Sequence, residues 1–137
     1  MKRARDIREQ LLKLCERVDI DVKDAALSIY EDEVNTNIRK CLASGYFANA
    51  AKYQYNGQYR TLKSPHTVMI HPHSLLFKFQ PLFVIYNELI FTTKEYMRSV
   101  LEIEAEWLLE VAPHFYSAKD VAPPDKRTIS NHMHAIN

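Results

Sequence analysis

Residues 82–91, LFVIYNELIF, run between Pro81 and a polar Thr92-Thr93-Lys94 turn, and as an extended chain they are apolar on both faces. Phe83, Ile85, Leu89 and Phe91 face one way, and Val84, Tyr86, Glu88 and Ile90 the other, because side chains alternate along a strand. A strand of this kind needs cover on both sides, which suits the wall of a barrel.

The neighbouring segments fit such a wall. Asn56-Gly57 is a turn signal, and YRTLK (59–63) reads as a strand that enters the Ser64-Pro65 turn. HTVMIH (66–71) follows as a second strand with Val68 and Ile70 on one face, and Pro72 ends it. A short helical piece over 74–79 leads into the long strand, and residues 95–101 form a fourth. A fifth strand lies near Ala51 to Tyr55 or within the tail. Before the strands, Ile7, Leu11, Leu14 and Val18 recur at helical spacing, widened by Leu12 and Cys15. A second helix starts at an Asn35 or Thr36 cap and runs to about Lys52, with Gly45 admitting another backbone. A closing helix over 104–111 turns Trp107, Leu108 and Val111 to the core and stops at Pro113.

The fold class expected is therefore α+β, a small five-stranded β-barrel of the oligonucleotide/oligosaccharide-binding (OB) kind with preceding and closing α-helices. Residues 1–18 are expected to be the last helix of a preceding helical bundle. Residues 19–54 are an acidic loop and a helix packing on the barrel, 55–117 the barrel and closing helix, and 118–137 a flexible tail. The charged, uncapped opening at Met1 leads us to expect a chain cut from a longer protein.

Several chemistries lack their residues. With only Gly45 and Gly57, the chain has no GxxxxGK loop or other glycine-rich phosphate cradle. No serine elbow motif is present, and Glu102, Glu104 and Glu106 read as a solvated helix start rather than catalytic carboxylates. Cys15 and Cys41 form neither a CxxC nor a disulfide framework, which fits a reducing compartment. His71 and His73 share a direction on a strand but have no third ligand, so His71 is read as satisfying a turn backbone group rather than a metal. No apolar run approaches the ~20 residues of a membrane-spanning helix.

Charge is unevenly distributed. Residues 34–64 hold Arg39, Lys40, Lys52, Arg60 and Lys63 with no acid, whereas 101–112 hold Glu102, Glu104, Glu106 and Glu110 with no base. Such a basic island points to a local anionic partner, or else to an unevenly charged solvated surface. Tyr46, Phe47, Tyr53, Tyr55 and Tyr59 interleave with its cations, as stacking platforms do in single-strand binders. Core filling competes for the same rings, and we expect about two of them to be exposed.

The hairpin YNELIFTTKEYMR (86–98) concentrates the remaining polar groups. If Phe91 closes the barrel, Thr92, Thr93 and Lys94 sit at its rim, where hydroxyls, backbone N–H groups and an ammonium meet phosphates, and Tyr96 and Arg98 share the next strand's face. The alternative buries Tyr96 and pairs Arg98 with Glu88.

YRTL (59–62), IHPHS (70–74), YNELIFTTKEYMR (86–98) and WLLEVAPHFY (107–116), in that order, resemble the C-terminal domain of DEAH-box RNA helicases. RARDIREQLL and VLEIEAEWLLEVAPHFY are most similar to the pre-mRNA-splicing members acting before the first transesterification. The resemblance spans residues 3–117. It implies an OB-fold that lines a single-stranded RNA channel beside helicase motor domains in a nuclear, spliceosome-remodelling protein. It implies no enzyme activity and no cofactor in this fragment, with ATP and Mg2+ belonging to the helicase core, and a glycine-rich-patch activator or spliceosomal proteins as partners. Carried over by position, Arg60, Lys63, Thr92, Thr93, Lys94 and Tyr96, together with Arg98, are the expected RNA-facing residues. His73 and Asn87 depart from the family pattern, so no role is carried to them. The alternative is a protein-docking platform around Phe77, Phe79 and Leu82.

Overall fold

The computed structural model describes residues 2–20, 22, 32–54 and 56–122. It comprises two units, Met1–Val34 and Asn35–Asn137. In the first, α1 (Lys2–Arg17) realises the apolar stripe, yet no residue of this helix is buried. Its C-terminus closes in a left-handed turn at Asp19, φ 55°. Ile20 N–H reaches back to Cys15 O at 2.9 Å and Asp19 N–H to Glu16 O at 3.4 Å, which satisfies two of the carbonyls a helix end leaves open.

The second unit holds a seven-stranded sheet. α2 (Asp32–Tyr46) straddles the division between units and leads into β1 (Ala50–Tyr53), β2 (Gln58–Thr61) and β3 (Thr67–Ile70). α3 (Leu76–Phe79), β4 (Phe83–Ile85), β5 (Glu88–Phe91), β6 (Glu95–Arg98), β7 (Leu101–Glu102) and α4 (Ala105–Val111) complete the order. The sheet runs β5-β6-β3-β2-β1-β4-β7, and among the described residues its only parallel pair is β3 with β6. The expectation of a five-stranded barrel is thereby corrected to an open sheet. Among the described residues no ladder joins the edge strands β5 and β7.

Two breaks account for the change in count. The long apolar run divides at Tyr86 and Asn87, so β4 pairs with β1 and β7 while β5 pairs with β6. Alternation slips across the break. Val84 and Tyr86 belong to one core cluster and Leu89 packs against that same cluster, although simple alternation would turn Leu89 the other way. The run over 95–101 divides at Ser99, whose φ of 52° turns the chain between β6 and β7. Counted as continuous lengths of chain, the strands are again five. The missing one is β1, and it begins where the second helix was expected to continue to Lys52.

Both faces of the sheet's centre are covered. Ala51, Tyr59, Val68, Ile70, Val84 and Met97 form one core cluster. Phe83, Ile85 and Leu62 pack on the other side with Ala43 of α2 and Trp107 and Leu108 of α4. The helix start was misplaced, because Asn35 and Thr36 lie inside α2, whose first turn carries Asp32 and Glu33 at the positive end of the helix dipole. Gly45 admits no neighbouring backbone, since a side chain there would meet nothing within 4 Å. Within the expected tail Val121 is buried and Asp120 half-buried, and 123–137 lie outside the described residues.

Leu108→Ala, at a fully buried site, should lower stability by about 2–5 kcal/mol. Gly45→Ala should raise it by up to about 1 kcal/mol, through helix propensity in open space. Denaturant midpoints test both, and a Gly45→Ala loss would mean that the position is crowded after all.

Candidate nucleic-acid interface

The β5–β6 hairpin presents the predicted rim. Thr92 N–H donates to Lys94 O at 3.0 Å, and Thr92, Thr93 and Lys94 are exposed at the tip. Phe91 does not close a barrel, because it is 78% exposed. Strand alternation buries Met97 completely and places Tyr96 and Arg98 together on the other face. Arg98 stands opposite Glu88, with its guanidinium 3.6 Å from that carboxylate. An ion pair this exposed contributes only about 0–1 kcal/mol, so the arginine can exchange it for a phosphate at little cost. Next to the hairpin tip, His66 Nε2 lies 3.3 Å from Glu95 Oε2, which ties the β2–β3 loop to the start of β6.

A cleft of about 790 Å3 opens beside this hairpin, with Thr92, Tyr96 and Arg98 in its lining together with His71 and His73. Its far side carries Arg39 and Glu102. Arg39 is committed to structure. Nε and one terminal nitrogen donate to Glu102 O at 3.0 and 2.7 Å, and the guanidinium lies 5.0 Å from the centre of the Trp107 ring. The expected backbone role of His71 is present, since its Nδ1 accepts from His73 N–H at 3.2 Å. Sequence reasoning weighed these two histidines as metal ligands and His71 as a backbone acceptor, and did not foresee that they face a cleft with Tyr96. Their HPH spacing was the available signal.

Most of the basic island is satisfied internally. Lys40 Nζ donates to Glu110 Oε2 at 2.7 Å, Lys52 Nζ to Ala122 O at 3.0 Å and Lys63 Nζ to Asp120 Oδ2 at 3.0 Å. Lys63 also lies 5.6 and 5.4 Å from the ring centres of Phe115 and Tyr116. The acidic stretch over 101–112 is thus a partner of the island itself, through Arg39 with Glu102 and Lys40 with Glu110. Arg60 is exposed on β2, opposite Lys52 and Thr67, and neither it nor Lys63 lines the cleft. Of the predicted set, the structure gathers Thr92, Tyr96 and Arg98 in one place, with Thr93 and Lys94 at the same hairpin tip.

The interleaved aromatics also divide. Tyr59 is 1% exposed and donates to Pro81 O at 2.8 Å, and burial pushes its phenol well above the ordinary tyrosine range. Tyr53 packs edge-on against it at 5.3 Å. Tyr46 is exposed, Phe47 is half-buried, and Tyr55 lies outside the described residues.

Asp120 organises the docked segment after α4. Its Oδ2 accepts from Ser117 N–H at 2.7 Å, Ser117 Oγ–H at 2.8 Å and Lys63 at 3.0 Å. Those bonds, the Ser117 backbone first, lower its carboxyl from 3.8 to about 2. The folded value is depressed, so the associated stability is present above pH 4 and is lost as pH falls from about 4 toward 2. A carboxyl-carbon NMR titration should give a midpoint near 2 for Asp120. It should stay below the ordinary range in Lys63→Met, because the Ser117 bonds remain, and an ordinary midpoint in the parent protein would refute the arrangement.

A family model described as oligonucleotide/oligosaccharide-binding (OB)-fold matches residues 38–116, more than half of the chain, from α2 through every strand and α4.

Proposed function

The chain belongs to this OB-fold family, whose fold is found C-terminal in DEAH-box helicases, and from that premise we propose that it is the non-catalytic RNA-channel and regulatory module of an ATP-dependent DEAH-box helicase in pre-mRNA splicing. The observation that carries the proposal is the meeting of a hydroxyl, a phenol ring and an exposed guanidinium, from Thr92, Tyr96 and Arg98, at one open cleft. Such a surface follows a phosphate backbone without chemistry of its own. In this reading ATP and Mg2+ bind the helicase core, the motor domains complete the channel, and the protein works in the nucleus with single-stranded pre-mRNA. A glycine-rich-patch activator and spliceosomal proteins are its proposed protein partners. Thr93 and Lys94 extend the contact at the hairpin tip. Arg60 and Lys63 remain proposed contacts, Lys63 only on leaving Asp120.

In a full-length helicase carrying this module, Arg98→Ala should weaken single-stranded RNA binding. It should also flatten the slope of log affinity against log salt by about 0.7, the share of one phosphate contact. Lys94→Ala should act in the same direction. Unchanged slopes and unchanged RNA crosslinking in both variants would overturn the assignment.

A second reading has its own observation, because Leu75, Phe79, Leu82 and Phe91 are 87%, 78%, 44% and 78% exposed. Phe77 is instead half-buried against the core. Splicing-factor capture that survives high salt and nuclease, and that Phe79→Ser abolishes, would favour protein docking.

A further inference from the structure

The cleft beside the hairpin is more than a phosphate rim. Its wall holds three rings in edge-on contact, with Tyr96 and His71 at 5.3 Å and 68°, and His71 and His73 at 5.0 Å and 73°. His71 and His73 are exposed and Tyr96 is half-buried, so the row is open to a ligand at the His73 end and anchored in the sheet at the Tyr96 end. Leu75, Ile90 and Leu101 add apolar lining. A sugar-phosphate chain has no use for aromatic and apolar walls, whereas an unstacked base does.

The polar groups are placed to match. Arg98 lines the same cleft, carries an exposed cation and has a weak Glu88 pair to give up. The carboxylate of Glu102, which would oppose an anion, has the Arg39 guanidinium 3.8 Å away. His71 is oriented in advance, because His73 N–H occupies its Nδ1. In the neutral ring the proton then resides on Nε2, a donor not used by this bond.

We propose that this cleft is a nucleobase pocket, in which one base of a single-stranded RNA stacks on the His73–His71–Tyr96 row while its phosphate meets Arg98. The inference rests on the RNA-channel reading above and deepens it, by assigning a base site and two histidines to which the resemblance carried no role.

The test compares three probes on the full chain and on the helicase carrying it: a single-stranded adenylate dodecamer, an abasic ribose-phosphate dodecamer, and adenosine monophosphate. The adenylate strand should bind about 5- to 150-fold more tightly than the abasic one, the range for one stacked base. His73→Ala should remove most of that difference without altering abasic binding. Tyr96→Leu should also lower the preference for the adenylate strand, and because His73 is exposed, its variant tests the pocket even where Tyr96→Leu perturbs folding. Equal, Arg98-dependent binding of both strands would overturn the base pocket and leave the RNA reading standing. Binding of neither strand would overturn both. Monophosphate binding as tight as that of the adenylate strand would overturn the strand assignment in favour of a free nucleotide.

Discussion

The structure depends on a corner at Asn49, Tyr86 and Asn87. Tyr86 N–H donates to Asn49 O at 3.0 Å, Asn49 Nδ2 donates to Asn87 O at 3.2 Å, and Asn87 N–H donates to Arg98 O at 3.0 Å. These bonds satisfy the backbone where an otherwise continuous strand changes partners. They let β4 stay between β1 and β7 while β5 forms a hairpin with β6 at the other edge. The left-handed Ser99 completes the manoeuvre by sending β7 back to β4. Without the corner, the run over 82–91 would bury both faces along its whole length, and the hairpin that carries Thr92, Tyr96 and Arg98 would have no independent edge on which to stand.

Charge is used in two ways. Arg39 and Lys40 hold α2 against the segment entering and forming α4, and both cations lie near the Trp107 ring, at 5.0 and 5.9 Å. Lys52 and Lys63 hold the residues after α4 in the same manner. None of these exposed or half-exposed contacts is worth much alone, but each adds to an apolar interface that already includes Leu108, Ala112, Tyr116 and Val121. Outside the basic island, Arg98 and Lys94 share one hairpin. This explains why a chain with a formal net charge of +1 is compatible with binding a polyanion locally.

Much of this was legible beforehand because it is local. Val68 and Ile70 on one face, the Trp107 and Leu108 core contacts, the turn at Asn56-Gly57 and the pairing of Arg98 opposite Glu88 all follow from alternation or helical period over a few residues. Both competing readings of Tyr96 and Arg98 contained part of the answer. The tyrosine is half-buried and the arginine faces Glu88, yet both still line the cleft. The seven-stranded count, the exposed Phe91 and the internal use of the basic island were not legible, since they depend on pairings such as Ala50 with Ile85, Met69 with Tyr96 and Lys40 with Glu110, which lie outside any local period.

The sequence by itself determined an α+β chain with short strands, an amphipathic first helix, a closing helix and a polar hairpin tip, because these are set by the spacing of apolar residues and by turn chemistry. Tertiary structure alone decided where the apolar run breaks, which cations are spent on the chain's own acids, and that His71, His73 and Tyr96 meet beside Arg98. The reason is physical: pairing β3 in parallel with β6 sets Met69 beside Tyr96 and Ile70 beside Met97, which brings the HPH turn to the hairpin, and no local period encodes such a non-local register.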